Sequence, residues 1–310
     1  MDVVHANSNA LIPNNLHLNT RSYRRSLPAV LVLLALLVLG LASLLAQGAH
    51  AGSEANTQAK YAPETIAKFA KGVEHYAAKQ GARAFIIGRV GRAEKDLPKG
   101  IEFTHTAVAI YSKITSHNGH DEFGYAIYNL YQTPENRQKS FLMTDYPVDF
   151  FWGAQVMKAG VLIPSAEVQQ GLIKLVASGK HKSLHNPSYS VIANPFNTRF
   201  QNCTEFTLDM LNAAIYQSTD LVRIKQNTQA YFRPQTVRTS RFKLAMGSMF
   251  MSDVTISDHK GQIRTATFTS IAKYLEEYGL VKEASVLTLN SHENIKVGDG
   301  TAVLASRNLL

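Results

Sequence analysis

The sequence predicts an α+β fold, and three observations carry that reading. Apolar residues recur at helical spacing over 62–79, over 166–177 and again after Asn202. Runs rich in β-branched and aromatic residues flank a polar turn at 116–121, the pattern of a hairpin. Helical and β-rich stretches do not alternate regularly, which argues against a parallel βαβ sheet. The chain carries no internal repeat and no low-complexity tract.

The elements follow in chain order. Residues 62–79 form a helix with Ile66, Phe69, Ala70 and Val73 on one face. An apolar run ending in glycine makes 82–88 a strand, and 103–111 pairs with 125–131 across the turn. Ser165 caps a helix over 166–177 that turns Val168, Leu172, Ile173 and Val176 inward. Residues 189–193 read as a further strand closed by Pro195. Asn202 is a good N-cap for the next helix, with Phe206, Met210, Leu211 and Ala214 at helical spacing. Residues 221–231 are helical, 254–256 pair with 265–268, and 270–278 form a short helix stopped by Gly279. The last stretch, 281–310, is a tail or an edge strand.

The amino terminus reads as an export signal. Arg21, Arg24 and Arg25 precede an uncharged apolar run over 27–46, and Ala49-His50-Ala51 is an A-x-A cleavage site. Residues 1–51 are therefore expected as a signal peptide cleaved after Ala51, and 52–61 as a flexible leader. The destination is the periplasm. The run is about as long as a bilayer is thick, so an inner-membrane anchor is the alternative, and membrane contact through this segment is otherwise transient. From Gly52 onward 29 basic residues face 22 acidic ones, a net of +7. That balance suits anionic lipid or wall polymers, and it is too diffuse for nucleic acid even at the Arg233, Arg238, Arg241 and Lys243 cluster.

Cys203 is the one cysteine in the chain, so no intrachain disulfide is available to it. In the first turn of a capped helix its thiolate would be stabilised by unpaired amides and the helix dipole. A buried, inert cysteine is the competing reading. A thiol nucleophile needs a base and a group that orients the base. His105 opens an apolar strand, unlike the loop histidines His117, His120, His181, His185 and His259. Asn129 lies in its partner strand. His117, His120 and Asp121 form a weak candidate metal cluster, and Asp258, His259 and Ser270 a weak serine-hydrolase set without a G-x-S-x-G elbow. No phosphate loop or dinucleotide fingerprint is present.

Phe103-Thr104-His105, Leu162-Ile163-Pro164-Ser165 and above all Arg199-Phe200-Gln201-Asn202-Cys203-Thr204-Glu205-Phe206 resemble an exported bacterial family, domain of unknown function 2145. The order of a strand-borne His before a helix-borne Cys is similar to the circularly permuted, papain-like branch of the NlpC-type superfamily. The resemblance implies a permuted papain-like domain over 62–280, with Cys203 as nucleophile, His105 as base and Asn129 as the third polar residue. Many relatives continue from Gln-Asn-Cys into Asn-Gln-Trp, whereas this chain has Thr204-Glu205-Phe206. The implied activity is thiol-dependent hydrolysis or acyl transfer on a cell-wall peptide amide or a lipid acyl ester, without cofactor or metal. Gln201 or the Cys203 amide is expected to donate to the oxyanion, with Gln201 otherwise at the substrate, and Trp152, in the aromatic run from Tyr146, is expected as a groove wall. If Cys203 and His105 form a thiolate–imidazolium pair, the thiol is expected to titrate below and the imidazole above their ordinary values. The rival reading is a peptide- or lipid-binding module on the same fold.

Overall fold

The computed structural model describes residues 58–93, 97–98, 100–115, 119–238, 253–289 and 295–298. The expected signal segment, His117, Arg241 and Lys243 lie outside the described residues. The chain opens with α1 (Pro63–Lys79), then β1 (Ala84–Val90), β2 (His105–Thr115), β3 (Asp121–Gln132) and β4 (Ser140–Asp145). It continues through α2 (Pro147–Trp152), β5 (Val156–Pro164), α3 (Ala166–Ala177), α4 (Cys203–Tyr216) and α5 (Leu221–Tyr231). A short ribbon of β6 (Gln235–Thr236) and β7 (Arg264–Thr265) precedes α6 (Phe268–Glu277), β8 (Val281–Leu289) and β9 (Ile295–Gly298). Among the described residues no helix is long and apolar enough to cross a membrane.

The main sheet runs β4-β3-β2-β1-β5-β8-β9, and every neighbouring pair is antiparallel. The fold is thus α+β with helices on both faces of one sheet. On the first face Ile86, Val108, Ile110, Leu130 and Leu162 pack with α3, α4 and α6. On the second, Phe85, Ile87, Ala107, Ala109 and Ile127 pack with α1 and α2. Alternate residues of β1 therefore enter different cores, which is why all seven are buried. Gly88 and Gly160 pair across β1 and β5, and the ring of Phe268 occupies the hollow they leave on the first face. A Cβ at Gly160 would meet that ring at 2.4 Å.

Several elements differ from the sequence reading, each for a local reason. β1 begins at Ala84 because the Gln169 side chain accepts from the N–H groups of Arg83 and Ala84. Residues 189–193 are not a strand, since Tyr189 donates to Gln138 and Val191 to Asp253, on different partners. Thr265 pairs with Gln235 rather than with 254–256, and Phe268 opens α6. Gly279 does end α6, in the left-handed region at φ 65°. The segment read as a tail or edge strand supplies β8, inserted between β5 and the edge strand β9. β4 and β5 were not legible as strands, and both sit beside residues that matter below.

Candidate active site

Cys203 is the first residue of α4. Its local conformation follows from Asn202, whose side-chain oxygen accepts from the Glu205 N–H at 2.9 Å while its amide donates to the Val191 carbonyl at 2.9 Å. One bond caps the helix, and the other ties that cap to the neighbouring loop. The thiol is 3% exposed, with Sγ 3.9 Å from both the Thr104 carbonyl oxygen and Thr204 Oγ1. It lines a cleft of about 210 Å³ whose apolar walls include Leu97, Ile101, Phe103, Val191 and Val254. Thr104, Thr204, Thr265 and Thr267 add polar groups to that lining, and Arg92 a charge.

His105 is the first residue of β2 and directly follows Thr104, whose carbonyl oxygen faces Sγ. Thr106 turns towards α4, where its hydroxyl accepts from Thr204 at 3.2 Å and its carbonyl from Thr207 at 3.2 Å. The alternation of the strand sends His105 into the second core with Ala107 and Ala109. Its ring stacks on Tyr131 at 4.8 Å between centroids and lies 5.4 Å from Phe150. Nε2 and Asn129 Oδ1 are 3.0 Å apart, so the two strands bring this predicted pair together. Nδ1 is buried and has no hydrogen-bond partner among the described residues, the Cys203 sulfur included.

Three further residues complete the polar cluster, and none was singled out from sequence. Asp145, at the end of β4, accepts from Asn129 Nδ2 at 3.0 Å and from the Tyr131 hydroxyl. Arg89, paired with His105 across β1 and β2, is 3% exposed. Its guanidinium donates to the Phe150 carbonyl and lies over the rings of Phe150 and Tyr131. Burial, and then the Arg89 charge, hold the His105 pKa well below its ordinary value of 6.5. Burial likewise raises the Asp145 carboxyl, although the Tyr131 hydroxyl and Arg89 oppose this. The imidazole is therefore shifted down and not up: burial first, and then the Arg89 charge, disfavour a second cation here.

Gln201 and Trp152 stand elsewhere than expected. Both functional ends of the Gln201 amide are engaged: Nε2 donates to the Leu184 carbonyl and to Asp209, and Oε1 accepts from the Asn186 N–H. Gln201 is thereby a brace for the start of α4, with no amide hydrogen left to offer an oxyanion. Trp152 is half-buried against the second core and is not among the residues lining the Cys203 cleft. Behind Gln201, Lys225 Nζ reaches Glu205 at 2.7 Å and Asp209 at 2.8 Å, an ion cluster with almost no exposure. Burial raises the Glu205 pKa to about 8 against the pull of Lys225.

Among the described residues the members of the competing constellations are engaged elsewhere. His259 lies 3.3 Å from Asp258, but its Nε2 is also 2.8 Å from the Ile192 carbonyl. Ser270 Oγ is bound within the cap of α6 by Thr267. Asp121 is held by Lys113 and Thr115, and its expected partner His117 lies outside the described residues. Among the described residues no three His, Cys, Asp or Glu side chains are grouped to hold a metal ion.

Comparison with known proteins gives one finding that bears on this site. No curated protein and no solved structure matches the chain. A family model described as "Uncharacterized protein conserved in bacteria (DUF2145)" matches residues 76–275, a span that holds His105, Asn129, Asp145 and Cys203. With about two thirds of its length under that model, the chain belongs to the DUF2145 family.

Proposed function

We propose that the protein is a thiol-dependent acyl hydrolase or acyltransferase with a papain-like arrangement of Cys203, His105 and Asn129. The carrying observation is the buried His105 ring, fixed by Asn129 at Nε2 with Nδ1 unengaged, directly after Thr104, whose carbonyl oxygen lies 3.9 Å from Sγ. In the proposed reaction Sγ attacks the substrate carbonyl carbon as the thiol proton passes to His105 Nδ1. Collapse of the tetrahedral adduct expels the amine or alkoxide, which takes that proton, and leaves an acyl thioester. Water, or an acceptor hydroxyl or amine, then displaces the sulfur. The first-turn amides of α4 take the role foreseen for Gln201, donating to the oxyanion at the positive end of the helix. The apolar walls of the cleft favour an uncharged acyl or apolar peptide group next to the scissile bond. The basic, apolar and small-residue segments of the first 51 residues support action after export, on wall peptide or lipid acyl groups.

In the resting state Sγ and the ring are not hydrogen-bonded, so the reaction requires the Cys203 side chain to swing from Thr104 towards Nδ1. The same separation favours the rival, a binding module in which the thiol is buried and inert. An electrophilic acyl probe applied to the full chain decides between them. The expected result is an adduct mapped to Cys203, formed faster than with denatured protein and at least tenfold slower in His105→Ala. Labelling no faster than the denatured control, with ligand binding retained in Cys203→Ser, would establish the binding module instead.

A further inference from the structure

We infer that Asp145 is a positioning residue that, through Asn129, fixes which nitrogen of His105 carries the proton. Asn129 has two ends and three partners. Its Nδ2 donates to Asp145 at 3.0 Å and to the Ile127 carbonyl at 3.4 Å, while Oδ1 faces His105 Nε2. Turning the amide over would set its oxygen against a carboxylate and a carbonyl, three acceptors with no hydrogen among them. Asp145 therefore sets the amide, and the amide oxygen in turn demands a donor at Nε2. A neutral ring with hydrogen on Nε2 has its lone pair on Nδ1, the nitrogen without a partner. Tyr131 secures the far end by donating to the same oxygen of Asp145 and by stacking on the ring it helps to orient.

The chain of constraint is thus Tyr131 and Asp145 to Asn129 to His105, four side chains from three adjacent strands. Asp145 itself does not touch substrate. Its catalytic meaning rests on the thiol–imidazole reading above, because Nδ1 must accept the thiol proton. The tautomer itself does not depend on that reading, and so it can be measured in a protein with no known substrate.

The test is ¹⁵N–¹H correlation of the imidazole nitrogens in the full chain, with His105 assigned by its loss in His105→Gln. The parent should show a pyrrole-type Nε2 and a pyridine-type Nδ1. Asp145→Asn should retain this pattern, since an amide oxygen can still accept from both Asn129 and Tyr131. Asp145→Leu should lose it and show mixed or Nδ1-protonated ring signals, with Asp145→Ala used if the leucine variant does not fold. A parent ring protonated on Nδ1 overturns the inference without any variant. A folded Asp145→Leu or Asp145→Ala protein that keeps the parent tautomer overturns it as well. Acyl-probe labelling of Cys203 in the same variants separates the two readings. A changed tautomer with unchanged labelling would sink the hydrolase and leave the role of Asp145 standing.

Discussion

Two buried residues on opposite faces of the sheet give the protein opposing responses to pH. His105 is held well below 6.5 in the folded state, so below pH 6.5 the unfolded chain binds a proton that the folded chain refuses. Stability is then lost as pH falls, by at most about 1.4 kcal/mol per unit for this group. Glu205, raised from 4.5 to about 8, does the reverse: between those values the folded chain keeps a proton that the unfolded chain releases, and stability falls as pH rises. Below pH 6.5 the two effects oppose one another. Denaturation of the parent, His105→Gln and Glu205→Gln across pH 4.5–8 should reveal this. The difference between parent and His105→Gln should grow against the parent as pH drops below 6.5, and that between parent and Glu205→Gln as pH rises towards 8. Differences flat in pH would mean that neither group is held as its surroundings require.

At the scale of elements, α4 was the most legible part of the chain and its neighbours the least. Asn202, Cys203 and the apolar spacing of Phe206, Met210 and Leu211 announce the helix, its start and its thiol together. Likewise α1 is written in the spacing of Ile66, Phe69, Ala70 and Val73. His105 and Asn129 could be paired from sequence because one hairpin joins their strands. Asp145 could not, since it comes from β4, whose six residues carry too weak a pattern to be read as a strand. Arg89 looks like a surface charge after an apolar run, and only the β1–β2 register puts it beside His105. The partners of Glu205 and Asp209 were also invisible, because Lys225 reaches them from α5 across a loop. That cluster gives an element-level expectation. Lys225→Met should cost about 3–5 kcal/mol in chemical denaturation, because it leaves the buried Glu205 and Asp209 side chains without their cation. A loss under 1 kcal/mol would show that α4 does not depend on the cation for its place on the sheet.

For the molecule as a whole, the matched family span and the folded unit are not the same length. Residues 76–275 leave out most of α1, with Ile66, Phe69 and Val73 of the second core, and all of β8. β8 serves both cores at once, Val286 in the first and Leu287 in the second, while Tyr76 of α1 hydrogen-bonds Ser285 and Glu283. A chain ending at Gly279 would leave the hydrogen-bonding edge of β5 open from Lys158 to Pro164. Such a chain should self-associate through that edge, giving light-scattering masses above the monomer where the parent gives none from this cause. Gly279 itself is an exposed turn between α6 and β8, so the backbone can be divided there without cutting a regular element. The protein can therefore be treated as a split system: residues 1–279 and 280–310, made as separate polypeptides, should find one another by strand insertion. Acyl-probe reactivity at Cys203 then becomes a reporter of their reassembly, absent in either fragment and present in the mixture.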